Sequence, residues 1–103
     1  MPEPQQPPSC SLDRAAVAAQ LERYRRAGAG GRLLERSPRA LMVELAAGTD
    51  SALVEQAIAI ERECCPFYEF AWDPATRRLS ISVTQREHEP ALGAIARAIG
   101  LKR

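Results

Sequence analysis

The chain has 103 residues, of which 26 % are charged and 46 % hydrophobic, and its net charge is +1. These values are ordinary for one globular domain, and the near-neutral charge with scattered arginines argues against nucleic acid as the main partner. No apolar run approaches the roughly 20 residues that a membrane-spanning helix needs.

The N-terminal segment, residues 1–9, contains four prolines and few apolar side chains. Such a composition cannot bury enough surface to offset the entropy of ordering, so it predicts a disordered tail before a single domain at 10–103. The segment is acidic where a signal peptide would be basic and then apolar. We therefore expect a cytoplasmic protein whose three cysteines are reduced thiols.

The first half of the chain predicts a helix followed by two strands. Ser11 or Asp13 suits the N-cap of a helix that runs to about Ala27 and ends in a glycine-rich segment. Three apolar residues fall on one face of this helix, namely Val17, Leu21 and Tyr24. Two strands are predicted next, at 32–36 and 40–46, with a turn between them at 37–39. In the second strand, apolar residues alternate, and Leu41, Val43 and Leu45 are expected to face inward.

The second half repeats this order of elements. Asp50 is the expected N-cap of a second helix that Pro66 ends, with an apolar stripe of Leu53, Ala57, Ile60 and Cys64. Strands follow at 67–73, with Tyr68, Phe70 and Trp72 on one face, and at 78–85, with Leu79, Ile81 and Val83 inward. Pro90 suits the first turn of a last helix, in which Leu92, Ile95 and Ile99 pack before Gly100 ends it.

The predicted fold class is α+β, in the order helix, hairpin, helix, hairpin, helix. The simplest packing is one antiparallel four-stranded sheet with the helices on one face. A short extra strand at 10–12 would complete the first unit. An edge strand must remain exposed, which leaves a homodimer open.

Two adjacent cysteines, Cys64 and Cys65, stand directly before Pro66 at the predicted end of the second helix. Cys64 continues the apolar stripe and should face the core. Cys65 lies about 100° further round the helix and should lie at the edge of the buried face. Both could be small hydrophobic side chains and nothing more, since cysteine is among the most buried residue types.

A redox role for the pair is the second interpretation, and the local electrostatics oppose it. The negative end of the helix dipole disfavours a thiolate, and Glu61 and Glu63 act in the same direction, with only Arg62 opposing them. A disulfide between adjacent residues would also need a strained ring.

A soft metal site is the third interpretation, because a bound metal ion deprotonates its thiol ligands whatever their own pKa. Cys10 is the only other cysteine, and it would approach the pair if the first two helices pack antiparallel. Three thiolates favour Cu(I), Hg(II) or trivalent arsenic. Zinc would need a fourth ligand, for which Glu61 is the nearest candidate.

Other residues offer little chemistry. His88 is the sole histidine and lies in a charged stretch, which predicts an exposed loop. No pairing of serine or cysteine with histidine has a spacing that indicates hydrolytic catalysis.

The segments "CSLD", "LERYRR", "ALMVEL" and "AIERECCPFYEFAW" together resemble a small bacterial domain over residues 9–100. That domain, marked by a "CCPF" motif, forms the C-terminal extension of some MerR-family metal-responsive regulators and also occurs as a stand-alone protein. The resemblance implies that Cys10, Cys64 and Cys65 act together with Glu61. The helix-turn-helix of those regulators is absent, so DNA binding is not implied.

The sequence therefore predicts a non-enzymatic protein that captures a soft metal or metalloid ion through these three cysteines and Glu61. A thiol redox protein that uses the vicinal cysteines and a purely structural or dimerising domain remain the alternatives.

Overall fold

The computed structural model describes residues 14–100. The predicted tail at 1–9, the N-cap at Ser11 or Asp13, the short strand at 10–12 and Cys10 all lie outside this range. No helix among residues 14–100 is long and apolar enough to cross a membrane.

The described part of the chain has an α+β fold with three α-helices and a four-stranded antiparallel sheet, as predicted. The elements follow one another as α1 (Arg14–Gly28), β1 (Arg32–Ser37), β2 (Ala40–Glu44), α2 (Ser51–Cys64), β3 (Glu69–Asp73), β4 (Arg78–Ser82) and α3 (Glu89–Ile99). A short 3₁₀ helix, Arg86–His88, leads directly into α3.

The strand order is β1-β2-β4-β3, so the two consecutive pairs meet through β2 and β4 at the centre of the sheet. The predicted inward residues of both central strands are buried, and Leu41 lies opposite Ile81 while Val43 lies opposite Leu79. Inward and outward side chains alternate strictly along each central strand of this half-buried sheet, so only one face of the strand can be buried. For this reason the pattern predicted the inward residues correctly.

The boundaries of α2 and α3 follow from their end residues. Asp50 caps α2 by accepting a hydrogen bond from the Ala52 backbone N–H, and α2 ends at Cys64, two residues before Pro66. Gly100 ends α3 in the left-handed conformation, with φ of 74°. The inward residues Leu92, Ile95 and Ile99 are buried as predicted.

The predicted buried face of α1 is wrong at Leu21. This side chain is 40 % exposed, whereas Gln20, Tyr24 and Ala27 are buried. Gln20 faces inward because its amide finds hydrogen-bond acceptors on α2, so its polarity concealed a buried position.

The stripe on α2 is also displaced by about one residue. Ala57 and Cys64 are buried as expected, but Leu53 and Ile60 are only half-buried. Val54, Ile58 and Glu61 occupy buried positions instead. A carboxylate therefore lies in the face that α2 turns toward α1.

Candidate functional site

The two adjacent cysteines lie where α2 ends. Cys64 is the last helical residue and is 6 % exposed, which confirms that it faces the core. The prediction that Cys65 lies at the edge of the buried face is wrong, because its side chain is only 3 % exposed. Cys65 is the C-cap residue, with φ of −134° and ψ of 73°, so its side chain does not follow the helical rotation on which the prediction was based.

The Cys64 thiol is engaged within its own helix. Its Sγ donates to the backbone carbonyl oxygen of Ile60, one turn earlier, at 2.7 Å. A metal ion bound to this sulfur would replace that hydrogen bond.

Glu61 carries the only buried carboxylate among residues 14–100 and is 5 % exposed. Its Oε1 accepts hydrogen bonds from Tyr24 Oη at 2.9 Å and from Gln20 Nε2 at 3.1 Å. Gln20 Nε2 also donates to the carbonyl oxygen of Ala57 at 2.8 Å. These three bonds, which tie α1 to α2, form what we call the Glu61 network.

The Glu61 network keeps the Tyr24 hydroxyl protonated. Burial, the neighbouring Glu61 carboxylate and the hydrogen bond between the two groups raise the pKa of Tyr24 well above the usual tyrosine range. Tyr24 is therefore a hydrogen-bond donor to Glu61 throughout the physiological pH range.

Cys65 and Glu61 line one small cavity of about 100 Å³ between the three helices. Gln20 and Tyr24 also border it, and its remaining walls are mostly apolar, including Val17, Leu21, Phe67, Ala91, Ala94 and Ile95. Cys64 does not border this cavity. The two cysteines, although adjacent in sequence, thus have different surroundings.

The predicted ligand Cys10 lies outside the described residues. Within residues 14–100, no group of three or more histidine, cysteine, aspartate or glutamate side chains is arranged to hold a metal ion. The structure thus places Glu61, Cys64 and Cys65 at one end of α2, and the complete set of three thiolates remains a prediction.

The prediction that His88 lies in an exposed loop is wrong. His88 belongs to the short 3₁₀ helix, and its ring stacks on Phe67 with centroids 3.9 Å apart and planes 17° from parallel. Its Nδ1 is buried and has no hydrogen-bond partner within residues 14–100. Phe67 in turn packs against Tyr68 at 4.5 Å, so an aromatic cluster follows directly after the cysteine pair.

The sequence reasoning missed the residues that hold Glu61, although a signal was present. Gln20 and Tyr24 stand four residues apart and so share a face of α1. Glu61 stands four residues after Ala57, in line with the buried face of α2. Two polar residues and one carboxylate on facing helical surfaces would have indicated a buried hydrogen-bond network.

Comparison with known proteins adds no family to this picture. The chain matches no protein-family model, no curated protein sequence and no solved structure.

Proposed function

We propose that this protein is a non-enzymatic binding protein for a soft metal or metalloid ion. Cys10, Cys64 and Cys65 supply the thiolates, and Glu61 is a fourth ligand or a hydrogen-bond partner of the site. The observation that carries the proposal is that Cys65 and Glu61 border the same cavity, beside Cys64, at the end of α2.

The position of α1 supports the participation of Cys10. Val17 and Gln20, in the first half of α1, border the cavity that Cys65 borders. Cys10 precedes Arg14 by four residues, and four residues span at most about 14 Å when extended. In this proposal the three helices form one layer over the face of the sheet that carries Leu41, so that the start of α1 delivers the third thiolate.

The electrostatics favour metal binding over redox chemistry. Cys65 lies at the C-terminal end of α2, where the helix dipole disfavours a negative charge. The Glu61 carboxylate on the same cavity acts in the same direction. A bound cation reverses both effects, because thiolate, carboxylate and helix C-terminus are then all attracted to it.

The identity of the donors restricts the ion. Thiolates are soft ligands, so Hg(II), Cu(I) and trivalent arsenic are the preferred occupants. Zinc would need four ligands, with the Glu61 carboxylate completing the three thiolates. The proposal requires a compartment in which cysteines stay reduced.

The experiment is a titration of the full, reduced chain with mercuric chloride, followed by the ultraviolet absorption of mercury–thiolate bonds. We expect one equivalent of mercury to bind and expect Cys65→Ser to abolish binding. Cys10→Ser should weaken it. Thr84→Ser, an exposed substitution after β4, is the control and should bind like the wild type.

Two results would contradict the proposal. If mercuric chloride leaves the absorption and the melting temperature unchanged, and thiol reagents label the cysteines only on unfolding, the pair is structural. If one cysteine forms mixed disulfides faster than free cysteine in solution, the redox alternative holds.

A further inference from the structure

We propose that the cavity beside Cys65 accepts the alkyl group of an organometallic cation, such as ethylmercury, while the Cys65 sulfur binds the metal. This inference rests on the proposed function, because the same thiolate binds the ion in both. It goes further in naming the class of ligand, a soft metal ion that carries a small alkyl substituent.

The walls of the cavity suit an apolar substituent. Six of the side chains that border it carry no polar group, namely Val17, Leu21, Phe67, Ala91, Ala94 and Ile95. An engineered apolar cavity of about 150 Å³ in another protein binds benzene. The cavity here has a volume of about 100 Å³ and is partly open to solvent beside Leu21, which is 40 % exposed, so it has room for an alkyl group of a few carbons.

The Glu61 carboxylate supplies the second feature that a cation requires. Glu61 is 5 % exposed and borders the cavity. Both of its hydrogen bonds reach Oε1, and no side chain or backbone group within residues 14–100 donates to Oε2. A carboxylate oxygen that no protein group within residues 14–100 engages, on the same cavity as the buried Cys65 sulfur, is suited to a positively charged metal centre.

The binding step changes no oxidation state. The Cys65 thiol releases its proton to solvent, the sulfur forms a bond to mercury, and a water molecule or chloride leaves the metal. The carbon–mercury bond stays intact. An alkylmercury cation has one strong bonding position left to fill, so this step needs Cys65 alone and not the full set of thiolates.

Burial of the alkyl group gives a measurable selectivity. Each methylene that moves from water into an apolar site contributes a factor of about four in affinity. Ethylmercury should therefore bind about four times more tightly than methylmercury, each measured relative to its affinity for a small thiol in solution.

The experiment is equilibrium dialysis of the full chain against methylmercury, ethylmercury, propylmercury or mercuric chloride, each with a fixed concentration of a small competing thiol. Ala91→Leu fills the cavity from α3 and should abolish the preference for ethylmercury while mercuric chloride still binds. Ala19→Leu is the matched control, because Ala19 is exposed on α1 and should keep the preference. Ile95→Val enlarges the cavity and should shift the preference toward propylmercury.

The outcomes separate the two proposals. If wild type shows no preference for ethylmercury over methylmercury, or if Ala91→Leu retains the preference, the alkyl site is refuted while the binding of mercuric chloride stands. Should Ala91→Leu fail to fold, an unchanged preference in Ile95→Val refutes the alkyl site in its place. Mercuric chloride binding that is equal in wild type and Cys65→Ser refutes both proposals.

Discussion

Replacement of Tyr24 by phenylalanine tests whether α1 holds the Glu61 carboxylate in place. The Tyr24 side chain is 2 % exposed, and its hydroxyl donates to Glu61 Oε1 at 2.9 Å. Tyr24→Phe removes this one oxygen and keeps the aromatic ring, so the packing between α1 and α2 is preserved.

The expected cost follows from the loss of one buried hydrogen bond to a carboxylate. Hydrogen bonds to charged groups contribute about 1.5–3 kcal/mol. Glu61 keeps its second donor, Gln20 Nε2 at 3.1 Å, so the charge retains a partner. We therefore expect Tyr24→Phe to lower the free energy of unfolding by about 2 kcal/mol.

The assay is urea unfolding at pH 7 in a double-mutant cycle with Glu61→Leu. Glu61→Leu leaves the Tyr24 hydroxyl and one N–H of Gln20 buried without an acceptor, at about 1–3 kcal/mol each. In that background Tyr24→Phe removes an unsatisfied hydroxyl, so it should be neutral or stabilising. The reasoning is refuted if Tyr24→Phe costs less than about 0.5 kcal/mol in the wild-type background, or if its cost is the same in both backgrounds.

Three further predictions concern pH, packing and capping. The pKa of Tyr24 is raised in the folded chain, so above pH 10 the hydroxyl ionises in the unfolded chain but not in the folded one. The stabilisation by Tyr24 is therefore complete below pH 10 and declines above it, by up to about 1.4 kcal/mol per pH unit. Urea unfolding between pH 9 and 11 should show this decline, and Tyr24→Phe should remove it. A Cβ on Gly28 would lie 2.7 Å from the backbone oxygen of Ile99, so Gly28→Ala should destabilise by about 1–3 kcal/mol or more in thermal melting. A Cβ on Gly48 would meet no atom of residues 14–100 within 4 Å apart from its chain neighbours, so Gly48→Ala should stay within about 0.5 kcal/mol of wild type. Equal effects would contradict the close approach of α1 to α3. Asp50→Ala should cost about 1 kcal/mol in urea unfolding through loss of the cap on α2, and Asp50→Asn, which keeps a capping oxygen, should not.

The sheet and α3 could be predicted from the sequence because their patterns have one physical solution. Leu41 and Val43 alternate with residues that face the other side, and a shift by one residue would expose both. The last helix has an equally clear apolar face, and Pro90 and Gly100 mark its ends. Where the apolar pattern and the residues at the ends of an element indicate the same structure, tertiary packing offers no alternative face or boundary.

The faces of α1 and α2 were less predictable because polar residues occupy buried positions. A pattern of hydrophobic residues alone assigns Leu21 inward and Gln20 outward, whereas the amide of Gln20 bonds to Ala57 and Glu61. Burial of Cys65 depends on the non-helical backbone of a C-cap, which helical periodicity cannot represent. His88 is held by a stacking partner, Phe67, 21 residues earlier, and no local pattern encodes that contact.

Three of these departures meet at the cavity beside Cys65, and this convergence bears on function. Gln20, Glu61 and Cys65 all border it. A purely structural domain would gain as much stability from well-packed apolar side chains in place of a buried carboxylate and its donors. Residues that break the local rules of a fold are expected where a site, and not stability alone, determines the side chain. Under the proposed function, the cation that Glu61 would help to bind accounts for a buried carboxylate that the packing of α1 against α2 does not require.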